Sequence, residues 1–123
     1  MASGYKRLKV YNAAFSLALD VYEITLQFPK FETHGLASQL RQSSKSVAAN
    51  IAEGHGRRKY GKDFARFLIN AIGSTDETKV HLEFALAHGY LKQETYGALI
   101  ERYDLLGKQL SAMVASIDKG SFR

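Results

Sequence analysis

Apolar residues recur at helical spacing along nearly the whole chain, and the recurrence breaks three times. Val10, Ala14, Leu17, Val21, Ile24 and Phe28 follow one another in alternating steps of four and three, one stripe down a helix of about residues 8–28. Pro29 lacks the N–H to continue it. Leu36, Leu40, Ser44, Val47, Ile51 and Gly54 share a face of a second helix, about 35–56, flanked by Ser43, Ser46, Ala48 and Ala49. Side chains that small let a neighbouring helix come close. A third helix, about 62–88, carries Phe64, Leu68, Ala71, Thr75, Thr78, Leu82 and Ala85 in a stripe that runs on to Gly89. A fourth, about 93–118, carries Leu99, Tyr103, Leu106, Leu110, Met113 and Ile117. The breaks at 29–34, 56–61 and 89–92 are short, which favours antiparallel neighbours. The pattern predicts an all-α fold, one antiparallel up-down-up-down four-helix bundle over residues 1–123. No strand, internal repeat or low-complexity stretch competes with it.

Two helices carry more apolar surface than one core needs. At about 100° per residue, Tyr11, Phe15, Leu19, Tyr22 and Leu26 form a second stripe on the first helix. Only Asn12, Ser16, Asp20, Glu23 and Gln27 remain as a narrow polar face. On the third helix Ile69, Gly73, Val80, Phe84 and Ala87 fall on the side away from Phe64 and Leu82. Contiguous apolar surface on a small protein usually marks an interface, so self-association is expected. A wide core that absorbs both stripes of the first helix is the alternative.

Composition narrows the function classes. At 123 residues, 46% hydrophobic and 24% charged, the chain has the size and make-up of one self-folding domain. It has no cysteine, so disulfides, thiolate nucleophiles and cysteine-ligated metals are excluded. No apolar run approaches the roughly 18 residues of a membrane span, and a cytoplasmic location is expected. The net charge of +5 is localised: residues 41–66 hold Arg41, Lys45, Arg57, Arg58, Lys59, Lys62 and Arg66 against Glu53 and Asp63 alone. Everywhere else ten basic residues balance ten acidic ones. A basic surface of this density attracts polyanions, and phosphate contacts of that kind give affinity without reading sequence. Tyr60 adds a candidate stacking group. A merely solubilising face, or a scaffold that docks an acidic protein, is the competing reading.

Other candidate chemistry is weak. The run Gly56 to Asp63 imitates a phosphate-binding P-loop, but a helix precedes it and Asp63 stands where Ser or Thr would hold magnesium. His34, His55, His81 and His88 have no metal-ligand spacing beyond Glu77 and His81, and no second Glu-x-x-His pair completes a di-metal site. Ser38, Ser43, Ser44 and Ser46 lie in no nucleophile elbow. Asn50, Glu53 and Arg57 share an edge of the second helix and suit a structural polar network, Glu53 standing four residues before Arg57. No metal, cofactor or catalytic residue is expected, and the protein is read as a non-enzyme.

The order of several blocks resembles the bacterial 23S rRNA intervening-sequence proteins, also described as a four-helix-bundle family. The blocks are Phe28-Pro29-Lys30, Gly35 to Arg41, Ser46-Val47-Ala48-Ala49-Asn50-Ile51-Ala52-Glu53-Gly54, Gly56-Arg57, Phe64 to Leu68, Gly73-Ser74, Glu77 and Gly89-Tyr90-Leu91. The Asn-Ile-Ala-Glu-Gly block followed by Gly-Arg is the specific part. The resemblance implies a homopentamer of four-helix bundles. A similar protein, the accessory factor of diversity-generating retroelements, implies binding of nucleic acid and of a reverse transcriptase. Carried over, the matching basic positions are Arg41, Arg57 and Arg66. Tyr60-Gly61 departs from the Ser-like cap expected before the third helix, and Gln42-Ser43-Ser44 from a more basic, alanine-rich run.

Overall fold

The computed structural model describes residues 4–120, which form four α-helices and two 3-10 turns, with no strand among them. The helices are α1 (Lys9–Thr25), α2 (Leu36–Gly56), α3 (Gly61–Ala87) and α4 (Gln93–Asp118), and the turns are Gly4–Arg7 and Lys30–Glu32. Their apolar stripes meet in one core. Val10, Ala14, Leu17 and Val21 of α1, Leu36, Leu40, Val47 and Ile51 of α2, Phe64, Leu68, Ala71, Leu82 and Ala85 of α3, and Leu99, Tyr103, Leu106 and Leu110 of α4 are all buried. The most extensive helix contact is between α2 and α3.

One helix end differs from the sequence reading, and another is set by a glycine. α1 stops at Thr25, three residues before Phe28, because the backbone tightens into i→i−3 bonds at Leu26, Gln27 and Phe28 on approach to Pro29. Gly89, where the α3 stripe runs out and the break at 89–92 begins, is the residue that ends the helix. It takes φ +80°, its N–H bonds to the Leu86 carbonyl at 3.0 Å, and the Tyr90 N–H reaches back to Ala85 at 2.8 Å. That bond pair closes a Schellman cap, which glycine adopts without a Cβ penalty.

Polar groups set how the helices lie. Between α2 and α3 the Ser46 and Ser74 hydroxyls hydrogen-bond at 2.8 Å, as do those of Thr78 and Ser43. Gly54, further along α2, admits the α3 backbone: a Cβ there would lie 3.0 Å from the Phe67 Cβ and 3.3 Å from the Phe64 carbonyl oxygen. Arg102 of α4 donates to Asp20 of α1 at 2.6 Å, and Lys79 of α3 pairs with Asp104 of α4 at 2.6 Å. The connections before α2 and after α3 are joined by Glu32, whose carboxylate accepts the Leu36 N–H at 3.0 Å and the Tyr90 hydroxyl at 2.8 Å. Those two bonds, the amide first, hold the Glu32 carboxyl below its ordinary pKa.

One core group is out of keeping with its surroundings. The Tyr103 hydroxyl is buried without a hydrogen-bond partner among the described residues, and burial pushes its pKa up. A buried hydroxyl left in that state costs about 1–3 kcal/mol. Tyr103→Phe is therefore expected to raise the unfolding free energy by about 1 kcal/mol in a denaturant titration; a loss of stability would show that the hydroxyl has a partner after all.

Candidate nucleic-acid interface

The α2–α3 turn gathers most of the basic excess. α2 ends as Arg57 and Arg58 bond back to Gly54 and His55, and Tyr60 closes the turn on the Arg57 carbonyl at 2.8 Å. Tyr60 caps α3 with no side-chain hydrogen bond, so the positive end of the α3 dipole is added to the same corner. Arg57, Arg58, Lys59, Tyr60, Lys62 and Arg66 are all exposed. Arg58 is braced against the His55 carbonyl at 3.0 Å. Arg57 stands 3.6 Å from the Glu53 carboxylate and Arg66 stands 3.6 Å from Asp63. Exposed pairs at such distances contribute about 0–1 kcal/mol, so neither carboxylate competes strongly with an incoming anion.

Two further residues belong to this corner, and neither stands out from its spacing along the chain. Arg7 lies on the N-terminal 3-10 turn, which packs on α2. Its charge reaches His55, whose pKa is lowered by burial first, then by Arg58, then by Arg7. Phe67 lies half-buried between two cations, the Arg57 guanidinium carbon 4.6 Å and the Arg66 carbon 4.5 Å from its ring centroid.

The seven basic residues singled out in the sequence do not all sit at this turn. Arg41 and Arg57 are sixteen residues apart on α2, about 24 Å at helical rise. Arg41 is bound to α1, donating from Nε to the Thr25 hydroxyl at 2.9 Å and lying 5.2 Å over the Tyr22 ring. Lys45 borders an apolar groove of about 590 Å³ between α1 and α2, lined by Tyr5, Tyr11, Phe15, Leu19, Tyr22 and the Ala48–Ala49 face. The proposed polar network also divides: Asn50 bonds to Ser46, which reaches Ser74 on α3, whereas Glu53 faces Arg57.

The second apolar stripes stay uncovered within the single chain. Phe15, Leu19, Tyr22 and Leu26 on one side and Ile69, Val80 and Phe84 on the other are 44–55% exposed, Leu26 as the residue that caps the end of α1. Glu77 and His81 hydrogen-bond to each other at 3.2 Å, and no group of three or more metal-capable side chains occurs among the described residues. No helix among them is long and apolar enough to cross a membrane.

Comparison with known proteins places this arrangement. The crystal structure of a protein of unknown function from the S23 ribosomal protein family of Bacteroides thetaiotaomicron superposes with a TM-score of 0.75 at 21% identity, over 85% of this chain and 97% of that one. At that identity the likeness speaks for the fold. No curated protein matches. The family model described as 23S rRNA-intervening sequence protein matches residues 6–112, so the chain belongs to that family.

Proposed function

We propose that the protein is a non-catalytic, cytoplasmic, oligomeric module that binds structured RNA, or nucleic acid generally, through the α2–α3 turn. The observation that carries this reading is the turn itself: Arg57, Arg58, Lys59, Lys62 and Arg66 are exposed together at one corner, with Glu53 and Asp63 as weakly held counter-charges. Exposed cations outside any cleft suit phosphates on a backbone more than a small polar substrate. Arg41, held to α1, and Lys45, at the edge of the α1–α2 groove, then contribute from the flank or belong to the assembly. A nucleic-acid enzyme such as a reverse transcriptase is the protein partner this reading admits.

The bundle reads as antiparallel, up-down-up-down. In support, numbers rising along α2 meet numbers falling along α3: Ser43 with Thr78, Ser46 with Ser74, and Gly54 beside Phe67. The two unlike apolar faces further suggest a ring of copies, a homopentamer in the family's expected form. One subunit's α3 stripe would seat on the next subunit's α1–α2 groove, since head-to-tail contacts between unlike surfaces close into rings. Every copy would then add its basic corner to a common surface.

The experiment that tests the function is binding of the intact protein to an RNA hairpin and to duplex DNA across a salt series. About six neutralised phosphates give a log–log slope of roughly −5 on duplex DNA. Absence of binding at low salt overturns the reading and favours docking of an acidic protein. For the assembly, light scattering should give several times 13.7 kDa. Val80→Asp with Phe84→Asp, each charge buried in the joint, should weaken association about a hundredfold or more and leave a helical monomer. An unchanged mass would remove α3 from the interface.

A further inference from the structure

We infer that Phe67 is a positioning residue that sets Arg57 and Arg66 as a paired guanidinium seat for one stretch of phosphodiester backbone, an inference that rests on the nucleic-acid reading above. Arg57 caps the C-terminal end of α2 and Arg66 lies in the second turn of α3, so nothing in the sequence order brings them together. Phe67 does. Its ring lies 4.6 Å from one guanidinium carbon and 4.5 Å from the other, so the two carbons are at most about 9 Å apart.

Two like charges so close repel, and something must hold them there. The ring attracts both through its quadrupole, and Glu53 and Asp63 add a carboxylate each, 3.6 Å from its arginine. An anion bridging the pair relieves the repulsion and can displace either carboxylate. A guanidinium held against a ring keeps its N–H fork available for the paired oxygens of a phosphate, which a free lysine could not match. Less side-chain freedom is then lost on binding.

Phe67 is itself placed by the backbone. Gly54 lets α3 approach until a Cβ there would meet the Phe67 Cβ at 3.0 Å, and the buried Phe64 and Leu68 on either side anchor that turn of α3. Phe67 is only half-buried, so core packing alone does not account for an aromatic ring at this position.

The test measures RNA-hairpin affinity of the full chain at one fixed salt concentration. Phe67→Met keeps apolar volume and removes the ring, Phe67→Tyr keeps the ring, and Arg57→Gln with Arg66→Gln removes both cations. Phe67→Met should weaken binding about tenfold while Phe67→Tyr stays within about twofold of the wild type. Added to the double glutamine variant, Phe67→Met should change nothing further. Phe67→Leu serves in place of Phe67→Met should thermal unfolding show the latter misfolded. Wild-type affinity in the ringless variants overturns this inference alone. An equal loss with and without the two arginines also overturns it, since the ring would then act through the fold. A wild type that binds no RNA overturns the nucleic-acid reading and this inference with it.

Discussion

Changing Arg57, Arg58 and Lys59 together to glutamate is expected to lower RNA-hairpin affinity by about a thousandfold and to flatten the salt dependence by roughly three contacts. Each subunit would pass from +5 to −1. Three phosphate contacts are lost, and three new repulsions stand where the backbone would run. Net charge alone also changes long-range attraction, so the matched control is essential. Lys30, Lys92 and Lys108 are exposed lysines outside the turn, and reversing those three gives the same net charge. That variant should lose only about tenfold through the general field. Equal losses in the two variants would show a diffuse electrostatic effect and remove the turn as the binding surface. Both should fold, since all six side chains are exposed.

Gly54→Val is expected to destabilise the bundle by about 3 kcal/mol, read from chemical denaturation. Alanine already sets two effects against each other. It gains about 1 kcal/mol of helix propensity over glycine, but its Cβ must fit 3.0 Å from the Phe67 Cβ and 3.3 Å from the Phe64 carbonyl oxygen. Those are rigid parts of α3, not side-chain tips that swing away. Valine adds two methyl groups to the same gap and has poorer helix propensity, so crowding wins. Phe64→Leu frees space beside the Phe64 Cδ1 atom, 3.3 Å from the same Cβ, and should recover part of the loss when combined with Gly54→Val. A Gly54→Val protein as stable as the wild type would show that α3 shifts freely at this crossing.

The helices were legible because burial follows period. Every α2 position in the first stripe, from Leu36 to Gly54, is buried, and the small residues beside them mark the closest helix pair. The one misjudged end has a local cause, the tightening before Pro29 that shortens α1, whereas the glycine that stops α3 at positive φ stands where the break was expected. The candidate site was legible only as a charge excess. Spacing along one helix predicts which residues share a face, but says nothing of what another helix brings to them. Arg41 thus counted with the basic patch although Thr25, sixteen residues earlier, holds it against α1. Arg7 and Phe67 were missed for the same reason, each joining the turn through a tertiary contact.

The hydroxyl pairs between α2 and α3 have a consequence apart from the stability they add. A slip of α3 by one turn along α2 could still match apolar residues with apolar residues, because both stripes repeat. It could not keep Ser43 with Thr78 and Ser46 with Ser74, so both bonds between the two helices would be lost. The pairs act as notches on a sliding scale: nearly neutral when engaged, costly when misaligned. Arg57 and Arg66 ride on the two parts of that scale, so the spacing of surface cations is held by neutral groups several turns inside. Evolution could therefore retune the turn's charges freely while the gauge that spaces them stays seated between the two helices.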